Sequence, residues 1–253
     1  MDTRSSTSTS PTGVTSGTSA LEAIDIRKSL PLDRERIDIL KGISLRIAHG
    51  EFVAIIGPSG SGKSTLLGII AGLDSPSSGQ VLVDGTDITR MSESKLASVR
   101  NQKIGMVFQA FNLIPTLTAQ ENVEVPLYVG KHPGRPSDRA TELLNLVGLG
   151  HRLRNKPNQL SGGEQQRVAV ARALATNPAI VIMDEPTGNL DKRNGDNILQ
   201  MIRDLRRATG TTFVIATHDT NVAGAADRAI HIIDGMVASG DSIGDSIGDS
   251  IGE

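Results

Sequence analysis

Residues 57–65 read GPSGSGKST, that is Gly57, Pro58, Ser59, Gly60, Ser61, Gly62, Lys63, Ser64 and Thr65. The glycines let the backbone turn successive N–H groups toward one point, and a lysine followed by a hydroxyl suits a chain of phosphates with a divalent counter-ion. The apolar EFVAII precedes this run and LLGIIAGL, closed by Gly72, follows it, so the loop joins a strand to the start of a helix. In that setting Lys63 reaches the outer phosphates and Ser64 offers its hydroxyl to Mg²⁺. A Gly-rich turn beside an ordinary surface lysine is the plainer alternative. A second candidate is AIVIMDEP, an apolar strand ending in Asp184 and Glu185. Consecutive strand residues face opposite sides, so Asp184 can serve the metal while Glu185 serves an attacking water. Alone, Asp-Glu-Pro also reads as a solvated strand exit. A third is LSGGEQQRVAVARAL at 160–174, where Ser161 and Glu164 fit a capping box and Gly162 and Gly163 leave the helix start open to an anion. One nucleotide's phosphates are already held by 57–65, so a second anion-binding helix end is best explained if it closes over a nucleotide bound to another copy.

The elements that must position these residues alternate along the chain. Strand-like runs at Phe52–Ile56, Ile180–Met183 and Thr212–Ala216 are interleaved with helical patterns, which predicts an α/β core with a largely parallel sheet. Asp84-Gly85 and Asp234-Gly235 each divide alternating segments and predict two hairpins, hence an antiparallel β element beside the core. Thr118 with Glu121 marks another helix start, and Ile198, Met201, Ile202 and Leu205 mark a helix over 192–209 ending at Gly210. Residues 1–20, rich in Ser and Thr, lack the apolar side chains to offset ordering entropy and are expected to be a disordered tail without the features of a signal or transit peptide. Residues 240–253 repeat I-G-D-S and are expected to be a second low-complexity tail, leaving 21–239 as the folded domain.

Composition narrows the partners. Twenty-six Lys and Arg against 28 Asp and Glu give a net charge of −2, and aromatics are 2% of the 253 residues, so neither a basic surface nor stacking platforms are available for nucleic acid. There is no cysteine, which removes disulfides, thiolate metal sites and cysteine nucleophiles. No apolar run approaches the ~18 residues that cross a bilayer. His49, His132, His151 and His231 have no spacing partners that suggest a metal site.

The signature LSGGE shortly before DEP resembles the ATP-binding cassette (ABC) ATPases, and further matches follow in that family's order: Gln109 in MVFQ, Asp191 in GNLD and His218 in VIATHD. The resemblance spans about residues 21–239. It implies a P-loop fold with a helical signature subdomain, and two chains head to tail with two ATP molecules between them. Each ATP would touch Lys63 of one chain and Ser161, Gly162 and Gly163 of the other, and Asp191, in the place of the family's D-loop, is expected among the nucleotide-binding residues. It implies that Ser64, Gln109 and Asp184 serve Mg²⁺, that Glu185 polarises the attacking water and that His218 contacts the γ-phosphate. Read alone, His218 is equally a surface residue at a strand end and Asp219 a helix cap. FNLIPTLTAQENVEVPL and DEPTGNLD look like the lipoprotein-release and macrolide-export ATPases, whose relatives include a cell-division ATPase. The expectation is therefore an ATP-hydrolysing transporter subunit on the inner face of the cell membrane. A permease would dock between Gln109 and Tyr128. A non-transport ABC ATPase is the alternative; a nucleotide kinase or GTPase would leave LSGGE and His218 without a role. The family usually places an aromatic for adenine before the P-loop; residues 21–50 contain none, Leu30 holds that place, and Arg34 or Arg36 is left to stack on the base.

Overall fold

The computed structural model describes residues 19–32, 35–130 and 132–238. Its centre is a sheet in which β3 (Phe52–Ile56), β6 (Ile104–Val107), β7 (Ile180–Asp184), β8 (Thr212–Thr217) and β9 (Arg228–Ile233) run parallel in the order β9-β3-β8-β7-β6. The short β10 (Met236–Val237) returns antiparallel along β9. A second sheet is antiparallel: β1 (Ser19–Leu32) lies between β2 (Glu35–Ala48) and β4 (Ser78–Val83), with β5 (Thr86–Asp87) outside β4.

Both faces of the central sheet are covered, which is why its strands read as unbroken apolar runs. Every residue of β3 and β8 is buried. The pleat divides them between two cores. Val53, Ile55, Ile180, Ile182 and Val214 pack with the antiparallel sheet and with Leu66, Leu67, Ile69 and Ile70 of α1 (Lys63–Ile70). Phe52, Val181, Met183, Phe213 and Ile215 face the helical layer of α3 (Ala119–Glu124), α4 (Pro136–Leu146), α5 (Gly162–Ala173) and α6 (Lys192–Thr209). Two further α-helices, α2 (Glu93–Lys103) and α7 (Thr220–Ala225), and short 3-10 turns at Val125–Tyr128 and Pro157–Gln159 complete the described elements.

Local sequence signals are realised where expected. Thr118 and Ser161 each close a capping box with Glu121 and Glu164, and Gly210 ends α6 at φ 68°. Both Asp-Gly turns have positive φ at both residues, 47° and 71° at Asp84-Gly85 and 50° and 77° at Asp234-Gly235, as a type I′ hairpin requires. One boundary needs correction: Ser19 and Ala20 belong to β1 and are buried, so the sheet takes in two residues assigned to the amino-terminal tail. The tails proper, residues 1–18 and 239–253, lie outside the described residues.

Candidate functional site

Four adjacent parallel strands, β3, β8, β7 and β6, deliver their carboxyl ends to one edge of the sheet, where ligands bind in open α/β folds. From β3 comes the loop 57–62 and then α1. Gly62 caps that helix at φ 99°, and a Cβ on it would lie 2.7 Å from Leu40 Cδ2. A Cβ on Gly57 would come within 2.1 Å of the Ile232 carbonyl oxygen, so the back of the loop admits only glycine at these positions. Pro58, Ser59 and Gly60 are exposed on the other side. Lys63 is buried, and its Nζ donates to the carbonyls of Gly57 (2.8 Å) and Pro58 (2.9 Å), which stretches the ammonium across the loop.

From β7 come Asp184 and Glu185. The Ser64 hydroxyl donates to Asp184 Oδ1 at 3.3 Å. Burial pushes the Asp184 carboxyl above the usual range; the Ser64 hydrogen bond opposes this, the neighbouring Glu185 charge adds to it, and Lys63 pulls down. A carboxylate and a hydroxyl this close are hard oxygen donors that suit Mg²⁺, and a cation there would relieve the penalty on the charged form. Glu185 has φ 45°, a strained value for glutamate, fixed by the bond from its N–H to the Ala216 carbonyl (2.9 Å). Its Oε1 lies 2.9 Å from Nδ1 of His218, which follows β8. The two line an open cleft of about 360 Å³ with Thr187, Gly188, Thr217 and Asp219. His218 is thus paired with the carboxylate, while Asp219 caps α7.

From β6 comes Gln109. A Cβ on Gly188 would lie 2.9 Å from Gln109 Nε2 and 3.2 Å from Glu185 Oε2, so the amide reaches the same cleft. Two residues that local motifs did not reveal hold this segment. Asn189 donates its side-chain amide to the Gln109 carbonyl at 2.8 Å. Phe111 and Asn112 both have positive φ (61° and 49°), and Arg172 of α5 donates to their carbonyls at 3.0 and 2.6 Å. The one available signal was an arginine on the otherwise apolar VAVARAL helix.

Ser161, Gly162 and Gly163 are placed elsewhere. Ser161 caps α5, accepting from the Glu164 N–H at 3.3 Å, and Arg152 holds Glu164 at 3.1 Å. The nearest atoms to a Cβ on Gly162 belong to Leu190 and Phe111, and to a Cβ on Gly163 they belong to Asn194. Asp191 caps α6 through the Asn194 N–H (2.9 Å). The signature helix therefore starts against the segment around Asp191, and each chain has two helix starts with glycines at their first turns, at Gly62 and at Gly162–Gly163.

Leu30 and Ile37 are opposite each other on β1 and β2 and are 47% and 45% exposed, an apolar pair in the region expected to meet the base. Arg36 is exposed; Arg34 lies outside the described residues.

The ABC transporter family model matches residues 40–188. An uncharacterized ABC transporter ATP-binding protein of Thermotoga maritima is 50% identical over 218 residues, 86% of this chain and 93% of that protein. The lipoprotein-releasing system ATP-binding protein LolD of Bacteroides fragilis is 50% identical over 79% of this chain and 94% of its own length. Among solved structures, the dimeric post-hydrolysis state of the ATP-binding cassette MJ0796, bound to ADP and Pi, superposes with a TM-score of 0.78 at 46% identity, over 86% of this chain and 96% of that one. With its phosphate loop, paired carboxylate and histidine, and signature helix on the fold of those cassettes, this chain belongs to the ABC transporter family, as an ATP-hydrolysing ATP-binding subunit.

Proposed function

We propose that two copies of the chain close head to tail over two ATP molecules and that this closure drives export or lipoprotein release by an integral-membrane permease. The observation that carries the dimer is the different surroundings of the two helix starts: Lys63 spans the loop at the sheet edge, while Gly162 lies against Leu190 and Phe111 and Gly163 against Asn194. One chain holds the phosphates and the other covers them. Lys63 and the loop amides neutralise the transferring phosphoryl group, Ser64, Asp184 and Gln109 serve Mg²⁺, Glu185 polarises water, and His218 holds Glu185 and meets the γ-phosphate. Mg²⁺ supplies charge neutralisation when bound; the chain's groups supply orientation and the base. Asp191 holds Asn194, which packs on Gly163, and so braces the covering half of the site.

The permease surface is read from the cleft beside Gln109. An opening of about 330 Å³ between the edge strand β6 and the helical layer is lined by Asn101, Met106, Phe108, Asn112, Pro126 and Arg172. Tyr128 and Val129, at 69% and 71% exposed, stand beside it as apolar contacts for a short helix of a membrane partner. No described helix is long and apolar enough to cross a membrane, so attachment at the inner face would run through that partner. Similarity to LolD of Bacteroides fragilis favours release of lipid-anchored proteins. The test is reconstitution with a lipoprotein-release type permease in liposomes. The expected result is hydrolysis stimulated by a lipid-anchored protein, which then leaves the bilayer, and loss of permease co-purification in Val129→Asp. Stimulation only by an external solute that accumulates inside would overturn it.

A further inference from the structure

We propose that Gly235, in the turn between β9 and β10, is a positioning residue of the phosphate loop. The peptide joining Ser61 to Gly62 is planar and trans, so its carbonyl and its N–H point in opposite directions. The Ser61 carbonyl accepts from the Gly235 N–H at 3.1 Å. The Gly62 N–H is thereby aimed away from Gly235, as one of the donors the start of α1 leaves open for phosphate. Gly235 is itself held from behind, because its carbonyl accepts from the Lys41 N–H of β2 at 2.9 Å. The packing is backbone against backbone: a Cβ on Gly235 would lie 2.2 Å from the Ile39 carbonyl oxygen, the same oxygen that would stand 3.1 Å from a Cβ on Gly62. The Asp84-Gly85 turn supplies the contrast. Gly85 has nearly the same φ (71° against 77°), yet a Cβ there would meet nothing within 4 Å. Turn geometry accounts for glycine at 85; at 235 the approach of two other backbones is an additional demand.

The test compares two alanine substitutions with equal turn strain and one substitution that adds no atom. Gly235→Ala and Gly85→Ala carry the same left-handed penalty, so only the first displaces the brace. A glycolate residue at 235, introduced by nonsense suppression, replaces the amide by an ester, so the N–H that holds Ser61 gives way to an oxygen that cannot donate, with no side chain added. Calorimetric titration with ATP should show affinity weakened about tenfold in Gly235→Ala and in the glycolate chain, the effect of one lost hydrogen bond. Gly85→Ala should bind as wild type. KM for ATP should rise with kcat largely retained, a split that a lowered fraction of folded protein does not produce. Should Gly235→Ala fail to fold, the glycolate chain carries the comparison. Wild-type ATP affinity in the glycolate chain, or equal weakening in Gly85→Ala, overturns the assignment.

Discussion

With the base placed against the apolar pair Leu30 and Ile37, as proposed from the place of Leu30 ahead of the phosphate loop, these two side chains set how strongly the base contributes to ATP binding. Leu40 of β2 touches the back of the phosphate loop at Gly62, and Ile37 lies three residues away, roughly 10 Å along the strand, the span from phosphates to base. Fully covering a Leu or Ile side chain is worth ~1.5–3 kcal/mol. Leu30 and Ile37 are already about half buried, at 47% and 45% exposed. A flat base covers one side of each, leaving roughly 0.5–1 kcal/mol for the pair, or about 2–5-fold in affinity. An aromatic stack supplies ~1–3 kcal/mol. Leu30→Tyr should therefore tighten ATP binding by about 2–30-fold. Because an aliphatic pair does not read the donors and acceptors on a purine edge, ATP and GTP should bind the wild type within about tenfold of each other. The assay is calorimetry with ATP, GTP and a base-free triphosphate, on wild type, Leu30→Tyr and Ile37→Ser. A wild-type preference for ATP over GTP of about 100-fold or more would refute the reasoning and turn attention to Arg36 and Arg34. No response to either substitution would move the base away from this strand pair.

Glu185→Gln should lower hydrolysis by ~10²–10⁴-fold while ATP still binds, and size-exclusion chromatography with ATP should show a persistent dimer; a monomer with bound ATP would count against the composite site. Mixing Lys63→Ala with Gly162→Asp should restore ATPase activity that neither has alone, since head-to-tail pairing gathers both lesions in one interface; absence of recovery in verified heterodimers would refute two independently competent composite sites. Asp184→Asn should raise the melting temperature of the nucleotide-free chain at pH 7. The folded carboxyl titrates above its unfolded value of 3.8, so its stabilising contribution is complete at low pH and lost as pH rises through the raised value. The gain measured by calorimetry should shrink on acidification; a constant difference across pH would assign it to packing instead.

What could be read from the sequence was what neighbouring residues decide among themselves. The loop 57–65, the capping boxes at Thr118 and Ser161 and the Asp-Gly turns are each set within a few residues. The antiparallel sheet was legible only at its Asp84-Gly85 turn, because bulges between Ala23 and Ser29 shift the register of β1 and Asp25 takes φ 45°, which breaks the alternation a strand pattern needs. Helix α2 left no signal, since none of its residues is buried. In α6 the apolar stripe was nearly right: Ile198, Ile202 and Leu205 are buried as expected, with Leu199 also buried and Met201 only packed against the core. Arg172 and Asn189 escaped notice because their partners are 60 and 80 residues away, and no local spacing encodes such contacts.

The pleat of the central sheet has a consequence for how such a subunit can diversify. Val181 and Ile182 are sequence neighbours on β7, yet one packs with the helical layer and the other with α1 and the antiparallel sheet. Drift in the first compartment alters the half that carries Arg172, the signature helix and the cleft beside Tyr128. Drift in the second alters the half that sets the phosphate loop. A lineage can thus repack one side of a sheet five parallel strands wide, together with the signature helix and the cleft beside Tyr128, while the packing behind the phosphate loop stays unchanged.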